Sequence, residues 1–136
     1  MAVLAGLALP SFREFVANQR IRNVSFDLMA AITLARSEAV TRGRNVTLAK
    51  APSGTDWGNG WMVVDGTNPI QIQEAFKNLA ITDSAALEGI TFAKDGRTVT
   101  TSTKFTIAPS IAMTGVISRC ISIGLSGTPS SSVGAC

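Results

Sequence analysis

Apolar residues recur at gaps of three and four along one stretch of the chain: Ile21, Val24, Leu28, Ala31, Ile32, Ala35 and Ala39. That spacing puts them on one stripe of an α-helix. Arg13, Arg20, Arg36 and Glu38 fall largely off the stripe. Neither Gly nor Pro interrupts Phe12 to Arg42, Ser11 offers a cap before it and Gly43 a cap after it. The pattern therefore predicts one long helix over about residues 11–43. Residues 2–9 (AVLAGLAL) are apolar as well. If they are also helical, Pro10 would kink the rod.

After Gly43 the period changes from helical to alternating. Asn45–Ala49 and Trp61–Asp65 read as strands, separated by a loop at residues 50–60. The turn-like Gly66-Thr67-Asn68-Pro69 leads into an alternating Ile70–Phe76, and Ile81–Gly89 reads as loop. Ile90–Ala93 and Arg97–Thr100 flank Asp95-Gly96, a favoured tight-turn pair, and predict a hairpin. Lys104–Ala108 and Val116–Ile123 are further strands, and residues 124–136 form a small-residue tail. Short strands with frequent turns imply an antiparallel sheet. The expected fold class is α+β, with a long N-terminal helix packed on a β module over about residues 45–123.

Composition narrows the chemistry. The chain of 136 residues suits one domain and has no His and no Tyr. It therefore lacks the commonest general base and the commonest transition-metal ligand. Two cysteines alone do not make a tetrahedral zinc site. Ser37 and Ser126 have no basic partner at catalytic spacing, and no Gly-rich segment has phosphate-loop context. The expectation is a protein that is not an enzyme and takes no cofactor or metal. Trp57 and Trp61 read as packing residues rather than binding aromatics. Arg36 and Glu38 are candidates for salt bridges between subunits.

Charge is uneven. Residues 11–50 hold seven basic and three acidic side chains, a net of +4, and the remainder is −1. Arg42, Arg44 and Lys50 cluster where the helix ends, and Arg119 lies beside Cys120. These four are the candidate contacts to DNA or to a partner protein. The alternative for the cluster is solvation at the helix end, with a favourable dipole interaction.

Cys120 and Cys136 enclose a short loop, as an isolated pair does in an oxidising compartment. A disulfide there would stabilise the fold by about 3 kcal/mol in the chain-entropy model and tie down the tail at residues 120–136. Two separate reduced thiols are the alternative. The apolar run at residues 2–9 is shorter than the roughly 20 residues that cross a bilayer. It reads as the remnant of a longer hydrophobic anchor, ahead of a single globular domain at residues 10–136. With no flexible spacer between the two, the arrangement points to a part held rigidly in an assembly.

Three segments carry a family resemblance. LAGLALPSFREFV (Leu4–Val16) resembles the second half of the N-terminal segment of type IV pilin-like proteins. ARSEAVTRGRNVTL (Ala35–Leu48) and WGNGWMVVD (Trp57–Asp65) resemble the helix end, first strand and Gly-Trp strand of the GspH/FimT family of minor pilins and pseudopilins. Asp95-Gly96-Arg97 and the Arg119-Cys120 … Cys136 ending also fit.

The resemblance implies a minor subunit of a type IV pilus that primes or caps the filament. The alternatives are a DNA-binding minor pilin for uptake in natural transformation, or a minor pseudopilin of type II secretion. The implied partners are other major and minor pilins or pseudopilins, the inner membrane through the rest of the N-terminal helix, and, in the uptake role, double-stranded DNA. The implied location is the inner membrane with the domain in the periplasm, then the extracellular pilus. A precursor of this kind carries a basic leader that is cleaved and methylated. DNA receptors of the family share Gly-Arg-x-Arg in the C-terminal loop. The corresponding Gly127-Thr128-Pro129-Ser130 has no positive charge at either arginine place.

Overall fold

The computed structural model describes residues 2–52, 56–100 and 102–136, with side-chain environments from Phe12 onward. Met1 and the capping side chain of Ser11 lie outside what it describes. Helix α1 runs from Ala2 to Arg42, so it begins before the expected start and its backbone continues through Pro10. Proline removes one helical bond and its ring crowds the carbonyl four residues back, but a helix carried by its other bonds can continue through it. At the far end, Gly43 takes a positive φ of 66°, and its N–H and that of Arg44 both return to the Ala39 carbonyl. Glycine has no Cβ to clash in that left-handed position, which is why the helix stops there.

Among the described residues eight strands follow: β1 (Val46–Lys50), β2 (Trp61–Asp65), β3 (Asn68–Gln73), β4 (Leu79–Asp83), β5 (Gly89–Phe92), β6 (Thr103–Pro109), β7 (Arg119–Ile123) and β8 (Pro129–Val133). They form two four-stranded antiparallel sheets, ordered β3-β2-β1-β5 and β4-β6-β7-β8. The α+β class and the helix-on-sheet arrangement stand.

Several local expectations change. Ile81–Gly89, expected as loop, contains the second half of β4. The tail, expected without structure of its own, contains β8. β3 starts at Asn68, inside the expected turn, and ends before Phe76. β7 starts at Arg119, three residues after the expected start. The return arm of the Asp95-Gly96 hairpin shrinks to one bridge, Phe92 with Thr98.

All seven residues of the helical stripe are buried. They face Val46, Leu48, Trp61, Val63, Ile90 and Phe92 of the first sheet and Ile81, Phe105, Ile107, Ile121 and Ile123 of the second. Each buried Val, Leu, Ile or Phe among them contributes about 1.5–3 kcal/mol relative to exposure. Trp57, on a single 3-10 turn (Trp57–Asn59), packs edge-on against Phe105 at 5.0 Å between ring centres. This contact ties the approach to β2 onto the second sheet. Both tryptophans are buried, as packing residues are.

Candidate functional site

Of the expected basic cluster, Arg42 and Arg44 are brought together, but around an acid, while Lys50 lies at the other end of β1, opposite Trp61. Asp65 occupies the last position of β2, in phase with buried Trp61 and Val63, and is itself buried. Arg44 reaches its Oδ2 with Nη2 at 2.6 Å and Nε at 3.0 Å, and Arg42 Nη1 reaches the same oxygen at 2.9 Å. Arg42 Nε also donates to Glu38 Oε2 at 2.8 Å, one helical turn back. Burial pushes the Asp65 carboxyl up, but the hydrogen bonds from Arg44 and Arg42 outweigh it and hold it below its ordinary range. The Arg42 guanidinium is held above its own by Glu38 first and Asp65 second. The network pins the helix C-terminus to the first sheet. Lys50 is also engaged, donating to Glu88 Oε1 at 3.2 Å.

Arg119 stands apart from the Arg42–Arg44 pair. It lies on β7 opposite Val133 of β8, far along the fold from the helix end, and makes no ion pair among the described residues. Cys120 and Cys136 are joined in a disulfide, with Cα atoms 5.1 Å apart. Beyond β8 the chain turns at Gly134, and the Cys136 N–H donates to Thr106 Oγ1 on β6 at 3.2 Å. The terminus is therefore held over the second sheet rather than along its edge.

Two further links run along the helix. Asn18 Nδ2 donates to the Gly115 carbonyl at 3.1 Å, and its Oδ1 accepts from the Ile117 N–H at 3.0 Å. Arg36 Nε donates to the Gly96 carbonyl at 3.0 Å. Arg36 is thus engaged within the chain, as is Glu38, rather than held free for a neighbouring subunit. Gly127 packs directly on Gly96, where any Cβ would meet the Gly96 carbonyl oxygen, and it has a positive φ of 84°. This close approach accounts for the glycine in the C-terminal loop. Thr128 and Ser130 beyond it are exposed and uncharged.

Asp65 and Asn18 escaped the reading of the sequence. Asp65 left a signal: an acid in the apolar phase of Trp61-Met62-Val63-Val64-Asp65 requires a cationic partner when that face is buried. Asn18 left none, because its partners lie nearly a hundred positions away. Among the described residues, no group of three or more His, Cys, Asp or Glu side chains is placed to hold a metal ion. No helix among them is long and apolar enough to cross a membrane. Asn18, Arg36 and the Asp65 network fix sheets to helix.

A family model described as Type II transport protein GspH matches residues 26–127. No curated protein matches significantly. Among solved structures, the type IV minor pilin FimU of Pseudomonas aeruginosa superposes with a TM-score of 0.72 at 26% identity, covering 85% of this chain and 90% of that one. A second crystal form of FimU gives a TM-score of 0.70 over 82% and 91%. The minor pseudopilin EpsH from the type 2 secretion system of Vibrio cholerae gives 0.62 at 9% identity, over 82% and 94%. That last likeness is one of fold.

Proposed function

The chain belongs to the GspH family, and from that premise we propose that it is a minor subunit of a type IV pilus. The observation that carries the pilus over the secretion system is sequence likeness at similar coverage. Identity to the minor pilin is 26%, against 9% to the pseudopilin. Proteins of this family sit in the inner membrane with their domain in the periplasm. In this reading residues 2–9 continue an apolar anchor, which enters the filament with α1 when the subunit is assembled. The disulfide fits an exported domain. Other pilins are the partners, and the subunit is structural rather than catalytic.

A DNA-receptor role draws less support. Arg42, Arg44 and Lys50 are matched to Asp65, Glu38 and Glu88, and a cation already matched to an acid must give up that partner to neutralise a phosphate and release the counterions held by DNA.

Deleting the gene in its own bacterium tests the reading, with surface pili and type II exoprotein export both measured. Loss of pili with export intact, restored by the wild-type gene, is expected. Intact pili with lost export would move the chain to the secretion system. If neither changes, the subunit role is wrong.

A further inference from the structure

We propose that the free edge of β8 is a docking site for an extended strand of another filament subunit, which adds to the second sheet by backbone pairing. The inference rests on the subunit reading above. It starts from how the four sheet edges are finished. The β5 edge is covered: Val99 N–H donates to the Thr91 carbonyl and Ala93 N–H to the Arg97 carbonyl. The β4 edge lies under the 3-10 turn, where a Cβ at Gly58 would come within 2.9 Å of the Leu79 carbonyl oxygen. The β3 edge carries Pro69 and faces a register shift at Val63/Val64. Prolines, bulges and covering turns are the usual devices against unwanted strand pairing. Among the described residues, β8 has only its first-position Pro129.

The register shows which groups are free. The Gly134 N–H donates to the Ser118 carbonyl at 2.7 Å, which extends the β7–β8 ladder by one pair. Bonded pairs alternate with unbonded ones in an antiparallel ladder. Ser130 and Ser132 therefore bond to β7, while the N–H and C=O of Ser131 and Val133 point outward. Pro129 falls at an outward position too, where its missing N–H breaks no bond within the sheet. Ser130 to Val133 are exposed, and Val133 is 68% exposed.

The surroundings describe the occupant. β8 runs from the Arg36–Gly127 contact at one end to the Asn18–Ile117 contact at the other, so it lies antiparallel to α1 and beside it. On a helix of 3.6 residues per turn, Arg22 and Phe26 fall between those contacts, turned outward from them by up to roughly a quarter-turn. Phe26 is 60% exposed. Neither Arg22 nor Arg119 has an ion pair among the described residues, so the strip has apolar side chains and two unmatched cations. It suits an extended segment carrying an apolar residue and an acid. A second copy fits less well. Twofold pairing about Ser131 sets Pro129 against Val133 and loses a bond on each side, because proline has no N–H to give.

The test removes the outward donors and little else. Ser131→Pro and Val133→Pro each delete an N–H that bonds nothing inside the sheet, and Ser131→Thr keeps it. The full-length tagged chain is expressed in its own bacterium, membranes and filaments are cross-linked, and co-purified pilin-like subunits are quantified by mass spectrometry. Each proline variant should lower recovery of one such subunit by about tenfold, while Ser131→Thr matches wild type. An unchanged melting temperature and an intact disulfide show that the variants fold. Recovery unchanged in both proline variants overturns the edge proposal and leaves the subunit role standing. No pilin-like subunit recovered even with wild type overturns both. A purified chain that dimerises, and is made monomeric by Ser131→Pro, replaces the heterologous strand with a second copy.

Discussion

The two sheets share one helix and one core, yet each is held by different means. The first is tied to α1 through a buried acid: Asp65 gathers Arg42 from the helix end and Arg44 from the segment that follows it. The second is linked to α1 by Asn18 and closed within itself by a covalent bond, with Cys136 returning to Cys120 and the Cys136 N–H meeting Thr106. Strands β1 and β2 have strong alternation and buried side chains on every second position. β8 has four exposed residues out of five and buries almost nothing. A strand with no hydrophobic face draws its stability from its neighbour's backbone and from whatever limits its freedom when unfolded. The disulfide supplies that limit, and an edge strand held this way can leave its outer side unprotected.

That contrast can be broken most strongly where the sheets meet. Trp57→Ala should destabilise the domain by about 3–5 kcal/mol, read by denaturant melting, because it empties the site against Phe105 that joins the two sheets. Trp57→Phe should cost much less, since the buried indole N–H has no partner to lose. Equal losses in the two variants would mean that the ring's bulk does not matter there.

Next in size is the covalent tie. Replacing both cysteines with serine should cost about 3 kcal/mol. Amide hydrogen exchange should speed up at Ser130 and Ser132 of β8, while Leu48 and Val63 of the first sheet keep their relative protection. Uniform loss of protection would show that the tail supports the whole fold. Gly127→Ala should cost about 1–3 kcal/mol, because it adds a Cβ against the Gly96 carbonyl at a positive φ.

The smallest effect is the pH dependence of the acid tie. Asp65 is held below its ordinary pKa in the folded chain, so between the folded and unfolded values the unfolded state binds more protons. Its contribution is full above the unfolded value of about 4 and is lost as pH falls through the folded one. Asp65→Asn should therefore lower the melting temperature at pH 7, and the gap to wild type should narrow as pH falls below about 4. A gap that stays constant would mean that Asp65 acts by shape and not by charge.

Comparing the sheets also explains what could be read in advance. The helical stripe was legible because a helix that buries one face repeats its apolar residues every three or four positions. β1 and β2 were legible because one buried face makes alternation. Disulfide pairing was an expectation from two isolated cysteines, and it holds. β4 was blurred because its alternation starts at Leu79, just after a turn. β8 was invisible because Pro-Ser-Ser-Ser-Val has neither period. The sequence placed Arg42, Arg44 and Lys50 in one cluster, but the fold keeps only Arg42 and Arg44 together, on Asp65 from β2, while Lys50 pairs with Glu88 just before β5.

By itself, then, the sequence determined the helix, the better strands, the α+β class and the family, since each depends on residues close together along the chain or on motifs carried in order. Only the tertiary structure decided that the strands divide into two sheets, that the cations at the helix end are matched by acids, and that β8 leaves one edge open. Those outcomes depend on which distant backbones and side chains meet, and a local pattern holds no information about a partner that lies far away along the chain.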